Sequence, residues 1–326
     1  MKCITTFLAA SCLVAGCATS GPPITAKLEP GRLPPPDTRL EIQGLGPCTD
    51  SPDRTLHLDS SQPVHVLVHG CFGSSGQFRA LAQVLAFHGQ QSACFTYDDR
   101  ARLDDSAAEL GRALGQLGSQ SGVPAIAVIG HSQGALIARR ALAEPAVATR
   151  PGAQAELRLV TISGPFSGID AARTCGRTWL YPLTLGLLPL GCYLATGPKW
   201  LDITYSSPFI LEPGSLTQQV VGHLKIDTDE RGSCRREDEQ QRCVDSDDVF
   251  SLAEQRSPHP DTDPRVTEVQ VQAGHVEIVG DKRVAPSKLI AILQDRGVLR
   301  PTPPARASAF EALLSRIYLD PNAGWR

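Results

Sequence analysis

The chain has 326 residues, a net charge of −3, and 41% hydrophobic and 20% charged residues. That length is enough for one large domain or two small ones, and the composition is that of a globular protein. The near-balanced charge supplies no basic field for nucleic acid, and the cysteine spacing is not that of a zinc module. In chain order, Met1-Lys2 gives a short positive start, and Ile4 to Val14 is mostly apolar but too short to span a bilayer. The run ends in Leu13-Val14-Ala15-Gly16-Cys17, the order of charge, apolar stretch and small residues expected of an export signal. Residues 18–37 are rich in Pro, Gly and Thr and read as an extended tether.

From about residue 38, short apolar runs alternate with helical patterns. Val64 to Val68 is β-branched and ends in His69-Gly70; Gln77 to Phe87 has helical spacing; Ala93 to Tyr97 is a second short run. Asp104 to Leu117 opens on two acidic residues and lines up Leu110, Leu114 and Leu117, which is helix. Ala125 to Ile129 is a third run, followed at once by a helix over Ser132 to Leu142. Leu157 to Ile162, Val220 to Ile226 and Val266 to Val271 are further strands, and a last amphipathic helix runs from about Pro286 to Leu293. Continuous apolar strands alternating with helices specify an α/β fold whose mostly parallel sheet is covered on both faces. Between Ile169 and Leu211 lies an apolar insertion around Trp179 to Leu194, whose prolines and glycines forbid one long straight helix.

Small residues before Cys17 resemble the lipobox of bacterial lipoproteins. The resemblance implies that residues 1–16 are removed and that Cys17 carries the acyl chains that hold the protein on a membrane. Ala18 after that cysteine implies outer-membrane sorting, facing the periplasm or the cell surface. Export also permits disulfides. Beyond Cys17 there are seven cysteines, an odd number, so at least one stays outside intramolecular pairs. Pairing is not fixed by sequence. Cys234 with Cys243 around a polar loop, Cys175 with Cys192 around the insertion, and Cys48 with Cys94 are the expected bonds, with Cys71 left over.

Gly130-His131-Ser132-Gln133-Gly134 is G-x-S-x-G between a strand and a helix. That turn holds its serine at an unfavourable backbone conformation, so its neighbours must be small, and the helix N-terminus after it directs free N–H groups at the hydroxyl. Upstream, a strand runs into His69-Gly70-Cys71-Phe72-Gly73. Together these motifs resemble the α/β-hydrolase superfamily, and more narrowly the bacterial lipases and related serine esterases, over roughly residues 60–295. The resemblance implies an α/β-hydrolase fold with an apolar lid or cap over residues 169–211 of a domain spanning 38–300. The acylated cysteine and tether (17–37) and a C-terminal tail (301–326), with a helix near Ala309 to Ile317, lie outside it. The same resemblance implies Ser132 as nucleophile and the backbone N–H groups of Cys71 and Gln133 as the oxyanion hole. His69 is then a structural loop histidine.

Triad order in such enzymes is Ser, acid, His, so the base lies late. His275 follows the last strand in Gly274-His275-Val276-Glu277, which resembles the catalytic-histidine loop of lipases. His223 lies within a strand and His259 in a Ser-Pro-His-Pro turn, and both read as structural. The acid should follow the penultimate strand. Candidates are Asp227, Asp229, Asp245, Asp247 and Asp248; Asp245-Ser246-Asp247-Asp248-Val249 resembles the lipase acid loop and favours Asp247, with Asp248 in place of the family's glycine. The implied activity is carboxylic-ester hydrolysis of acyl or lipid esters through an acyl-enzyme, with no metal and no organic cofactor. Two rivals remain: a non-catalytic envelope lipoprotein using the fold as a binding scaffold, and an amidase or acyltransferase with the same triad. The insertion is either a lid that exposes apolar residues to lipid or extra core packed over the sheet.

Overall fold

The computed structural model describes residues 38–71, 73–144, 155–172, 175, 180–185, 187–281 and 283–319. The expected export signal, Cys17 and the tether lie outside the described residues, as does Phe72. Seven strands form the main sheet: β1 (Leu45–Gly46), β2 (Val64–Val68), β3 (Gln91–Phe95), β4 (Ala125–His131), β5 (Glu156–Ile162), β6 (Val220–Asp229) and β7 (Val266–Gln272). Their order is β7-β6-β5-β4-β2-β3-β1. Every pairing is parallel except β1 with β3, an antiparallel pair at the edge. A two-stranded ribbon (Thr38–Leu40 with Leu56–Leu58) and a hairpin (Cys234–Glu237 with Cys243–Ser246) stand apart from this sheet.

The strands read as apolar runs because both faces are covered. Val64, Val66 and Val68 of β2 join Ile126 and Val128 of β4 in one core, with Leu110 and Leu114 of α2 (Leu103–Ser121) and Leu136 and Ile137 of α3 (Gln133–Ala141). Leu67, Ile129, Val160 and Ile226 point the other way. They meet Leu81 and Leu85 of α1 (Arg79–Phe87) and Leu289 and Leu293 of α4 (Ser287–Asp295). Alternate residues of a strand thus feed opposite cores, as the two-residue repeat dictates.

The division expected at residue 300 is not a break in packing. Phe310, Leu313 and Leu314 of α5 (Ala307–Leu314), with Ile317 and Tyr318 beyond it, are buried in the same core as α1 and α4. Phe310 packs 5.1 Å from Phe87, and the Arg306 guanidinium lies 4.0 Å over the Phe87 ring. The tail's apolar residues need a surface to bury against, and the α1/α4 face provides it.

The insertion forms short helices at Leu180–Leu183, Leu187–Thr196, Trp200–Ile203 and Pro208–Leu211, as its prolines and glycines require. Its middle and its C-terminal part behave differently. Leu183, Leu185, Leu187, Leu190 and Leu194 are exposed, Leu185 at 89%. Trp200 and Ile203 are buried, and the fully buried Asp202 carboxylate accepts the Leu103 N–H (2.8 Å) and the Arg102 Nε (2.9 Å). The insertion is therefore clamped to the loop after β3 through Asp202, while the leucines of its middle stay uncovered. Three disulfides, Cys48–Cys94, Cys175–Cys192 and Cys234–Cys243, match the expected pairs, and Cys71 is the free cysteine among the described residues.

Candidate active site

Parallel strands put all their C-terminal ends at one edge of the sheet, which is where α/β folds place ligands. Four strands deliver chemistry there: β2 leads into His69-Gly70-Cys71, β4 into Ser132, β6 into Glu230 and β7 into His275.

Ser132 caps the N-terminus of α3 at φ 57° and ψ −128°, a strained conformation for a residue with a side chain. Its N–H donates to Ile162 O (2.9 Å), which ties the turn to β5. The glycines are forced by contact. A Cβ on Gly134 would lie 2.3 Å from Val68 O and 2.4 Å from His69 O, and one on Gly130 would lie 2.3 Å from Gly134 O. A Cβ on Gly70 would lie 2.9 Å from the Ser132 Cβ. The His-Gly loop and the serine turn therefore touch backbone to backbone.

That contact brings Cys71 and Gln133 together. The Cys71 thiol donates to Gln133 Oε1 (3.2 Å), and Gln133 Nε2 donates to Asp99 O (3.3 Å). Lys199 of the insertion, fully buried, donates to Asp99 O (2.6 Å) and to Cys71 Sγ (2.7 Å). Gln133 is the first residue of α3, so its N–H has no preceding turn to bond. His69 stacks on Tyr97 (ring centroids 4.4 Å apart), and its Nδ1 donates to Gly70 O (2.9 Å). Burial lowers its pKa below that of an ordinary histidine, which suits a neutral ring ordering the loop.

His275 arrives beside the serine turn. Its ring centroid lies 4.7 Å from that of His131, the residue before Ser132, and its carbonyl accepts from His131 Nε2 (2.9 Å). Burial, with His275 alongside, holds the His131 imidazole far below the usual histidine pKa, so His131 is neutral and donates through Nε2. The Phe250 ring meets His275 edge-on at 4.8 Å.

The acid facing His275 is not the expected Asp247. Glu230 Oε1 accepts from His275 Nδ1 at 2.9 Å, and the Glu230 side chain is fully buried. The same carboxylate takes three more donors: the Thr228 hydroxyl at Oε1 (2.9 Å) and the Val249 and Phe250 N–H groups at Oε2 (2.7 Å each). Asp247 meets the backbone of the histidine loop instead. Its carboxylate accepts backbone N–H groups of Val276 (3.0 Å) and Glu277 (2.9 Å), not the ring. Asp227 is paired with Lys225 (2.5 Å) and Asp229 with Arg231, while Asp245 lies in the hairpin and Asp248 is exposed. The reason for the difference is strand length. β6 continues past Ile226 to Asp229, so the first residue after the penultimate strand is Glu230. His223 is buried against the Thr161 hydroxyl (2.8 Å), and His259 is exposed in the short helix Pro258–Asp261.

No protein-family model matches the chain, and no curated protein does. Solved structures do. The chain is similar to a lipase of Bacillus licheniformis, BlEst2 in its mature form, at 14% identity over 78% of this chain and 97% of that one, with a TM-score of 0.47. It is also similar to the Pyrococcus furiosus esterase Pf2001, at 17% identity over 79% and 91% of the two chains and a TM-score of 0.41. A third is a gene product of Listeria innocua, at 14% identity over 65% and 85% with a TM-score of 0.42.

Proposed function

We propose that the protein is a serine carboxylic-ester hydrolase in which Ser132 is the nucleophile, His275 the base and Glu230 the acid of the triad. One observation carries the reading: a histidine whose Nδ1 is held by a fully buried, fully bonded carboxylate, placed against the turn that strains Ser132. With Nδ1 donating to Glu230, the Nε2 of His275 is the nitrogen free to accept a proton. Ser132 attacks the ester carbonyl as His275 removes its proton, and the N–H groups of Cys71 and Gln133 receive the developing oxyanion. His275 then returns the proton to the leaving alcohol, and water releases the acyl group by the same route. A backbone donor in this role is worth roughly 3–4 kcal/mol of transition-state stabilisation.

Acyl or lipid esters are the substrate class we favour. The exposed leucines of the insertion suit an apolar acyl chain, and the lipobox-like residues around Cys17 would hold the domain at a membrane of the cell envelope, through a tether of about twenty residues. Ser132→Ala should lower turnover of a p-nitrophenyl ester by about 10⁴-fold or more and abolish labelling by a fluorophosphonate. Equal turnover by the two proteins would refute the reading, and a wild-type chain that takes no label at Ser132 would favour a binding scaffold.

A further inference from the structure

We propose that Asp247 is a positioning residue for the base: it fixes the backbone from which His275 projects, while Glu230 fixes the ring. The proposal rests on the reading of Ser132 and His275 given above. Three consecutive N–H groups of the histidine loop end on this one residue. The His275 N–H donates to the Asp247 carbonyl (2.9 Å), the Val276 N–H to Oδ1 (3.0 Å) and Oδ2 (3.1 Å), and the Glu277 N–H to Oδ2 (2.9 Å). The carboxylate is buried, and burial raises its pKa, opposed by those N–H groups and by Arg235, whose Nε lies 3.9 Å from Oδ1.

The loop is shaped to receive it. A Cβ on Gly274 would lie 2.1 Å from Asp247 Oδ2, so only glycine leaves room for the carboxylate beside His275. Asp247 is itself held from behind, its N–H donating to Ser233 O (3.0 Å) beside the hairpin that Cys234–Cys243 closes. The two carboxylates act in series. Glu230, just after β6, binds the N–H groups of Val249 and Phe250 in the Asp247 loop, and Asp247 binds those of the His275 loop. The bond to Glu230 constrains the ring's rotation, but the ring's position follows its Cα. A displacement of about 1 Å at a reacting group can cost about 10²-fold in rate.

The test is Asp247→Asn, which keeps the volume but turns an amide N–H toward backbone donors. Turnover of a p-nitrophenyl ester is measured per active site, with sites counted by fluorophosphonate titration, alongside the melting temperature. Positioning predicts that kcat per titrated site falls about 10- to 100-fold with KM within about twofold, and that the rate of labelling falls in parallel. Gly274→Ala, which drives a methyl group into the same carboxylate, should show the same split and serves if Asp247→Asn does not fold. A folded variant whose kcat per site stays within twofold of wild type, whatever its melting temperature, overturns the proposal but leaves the function standing. A wild-type chain that neither turns over ester nor takes label overturns both.

Discussion

Ser132 and His275 reach the same end of the sheet by different means. The serine is placed by steric exclusion between adjacent pieces of backbone: Gly130 against Gly134, Gly134 against the carbonyls of Val68 and His69, Gly70 against Ser132 itself. The histidine is placed by charge, through two buried carboxylates from different segments that hold its ring and its backbone. Both constructions join segments far apart in sequence. The first is written in glycines whose reason is steric, and the second depends on which polar groups meet after folding. The serine side should therefore respond to added volume alone, and the histidine side also to changed hydrogen bonding or pH.

The sharpest break in that contrast is Glu230→Gln. The amide keeps the shape, but the single carboxylate serves four donors, and an amide can offer an oxygen either to His275 and Thr228 or to Val249 and Phe250. Ester turnover should fall by about 10⁴-fold, as when a triad acid is neutralised in the wrong tautomeric setting. A drop smaller than that of Asp247→Asn would return the role of acid to Asp247.

A smaller effect concerns pH. Burial pushes Asp227, on the strand that leads to Glu230, up to about 6 from its ordinary 3.8, although Lys225 beside it favours the charged form. A carboxyl with a raised folded pKa contributes stability in acid, below its unfolded value, and loses it as pH rises through the folded value. Unfolding free energy should thus fall by on the order of 3 kcal/mol between about pH 4 and pH 7 from this group, and Asp227→Asn should flatten that slope. Urea melts at several pH values measure it, and an unchanged slope in the variant would refute the assignment. Smallest is Gly134→Ala on the serine side. Its methyl group must displace backbone carbonyls, a strain of roughly 1–3 kcal/mol that a denaturant midpoint would report at every pH alike. A pH-dependent loss there would blur the contrast.

The same contrast explains what was legible beforehand. The strands from Val64 to Val271, the helices after them and the serine turn follow from apolar periodicity and from a pentapeptide whose glycines have a steric reason. His275 was legible because it follows the last strand. Glu230 was not, because the apolar periodicity stops at Ile226, whereas β6 runs on through Asp227, Thr228 and Asp229. Charged residues ordinarily end an apolar strand. Here Lys225 neutralises Asp227 inside the fold and Thr228 bonds onward to Glu230, so the strand survives its own polar residues. Nor does periodicity foretell that Asp247 takes backbone donors from a loop thirty residues later. The embedding of α5 was hidden for a related reason: an amphipathic helix announces its apolar stripe but not the surface that will cover it.

That helix has a practical side. Ending the chain at residue 300 would strip Phe310, Leu313, Leu314, Ile317 and Tyr318 from the face formed by α1 and α4. A shortened polypeptide of that kind would present a hydrophobic flank on the side of the sheet away from α2 and α3, inviting self-association even with every reacting group still encoded. Soluble yield after trimming the C-terminus would then report on this flank instead of on the chemistry at the sheet's edge.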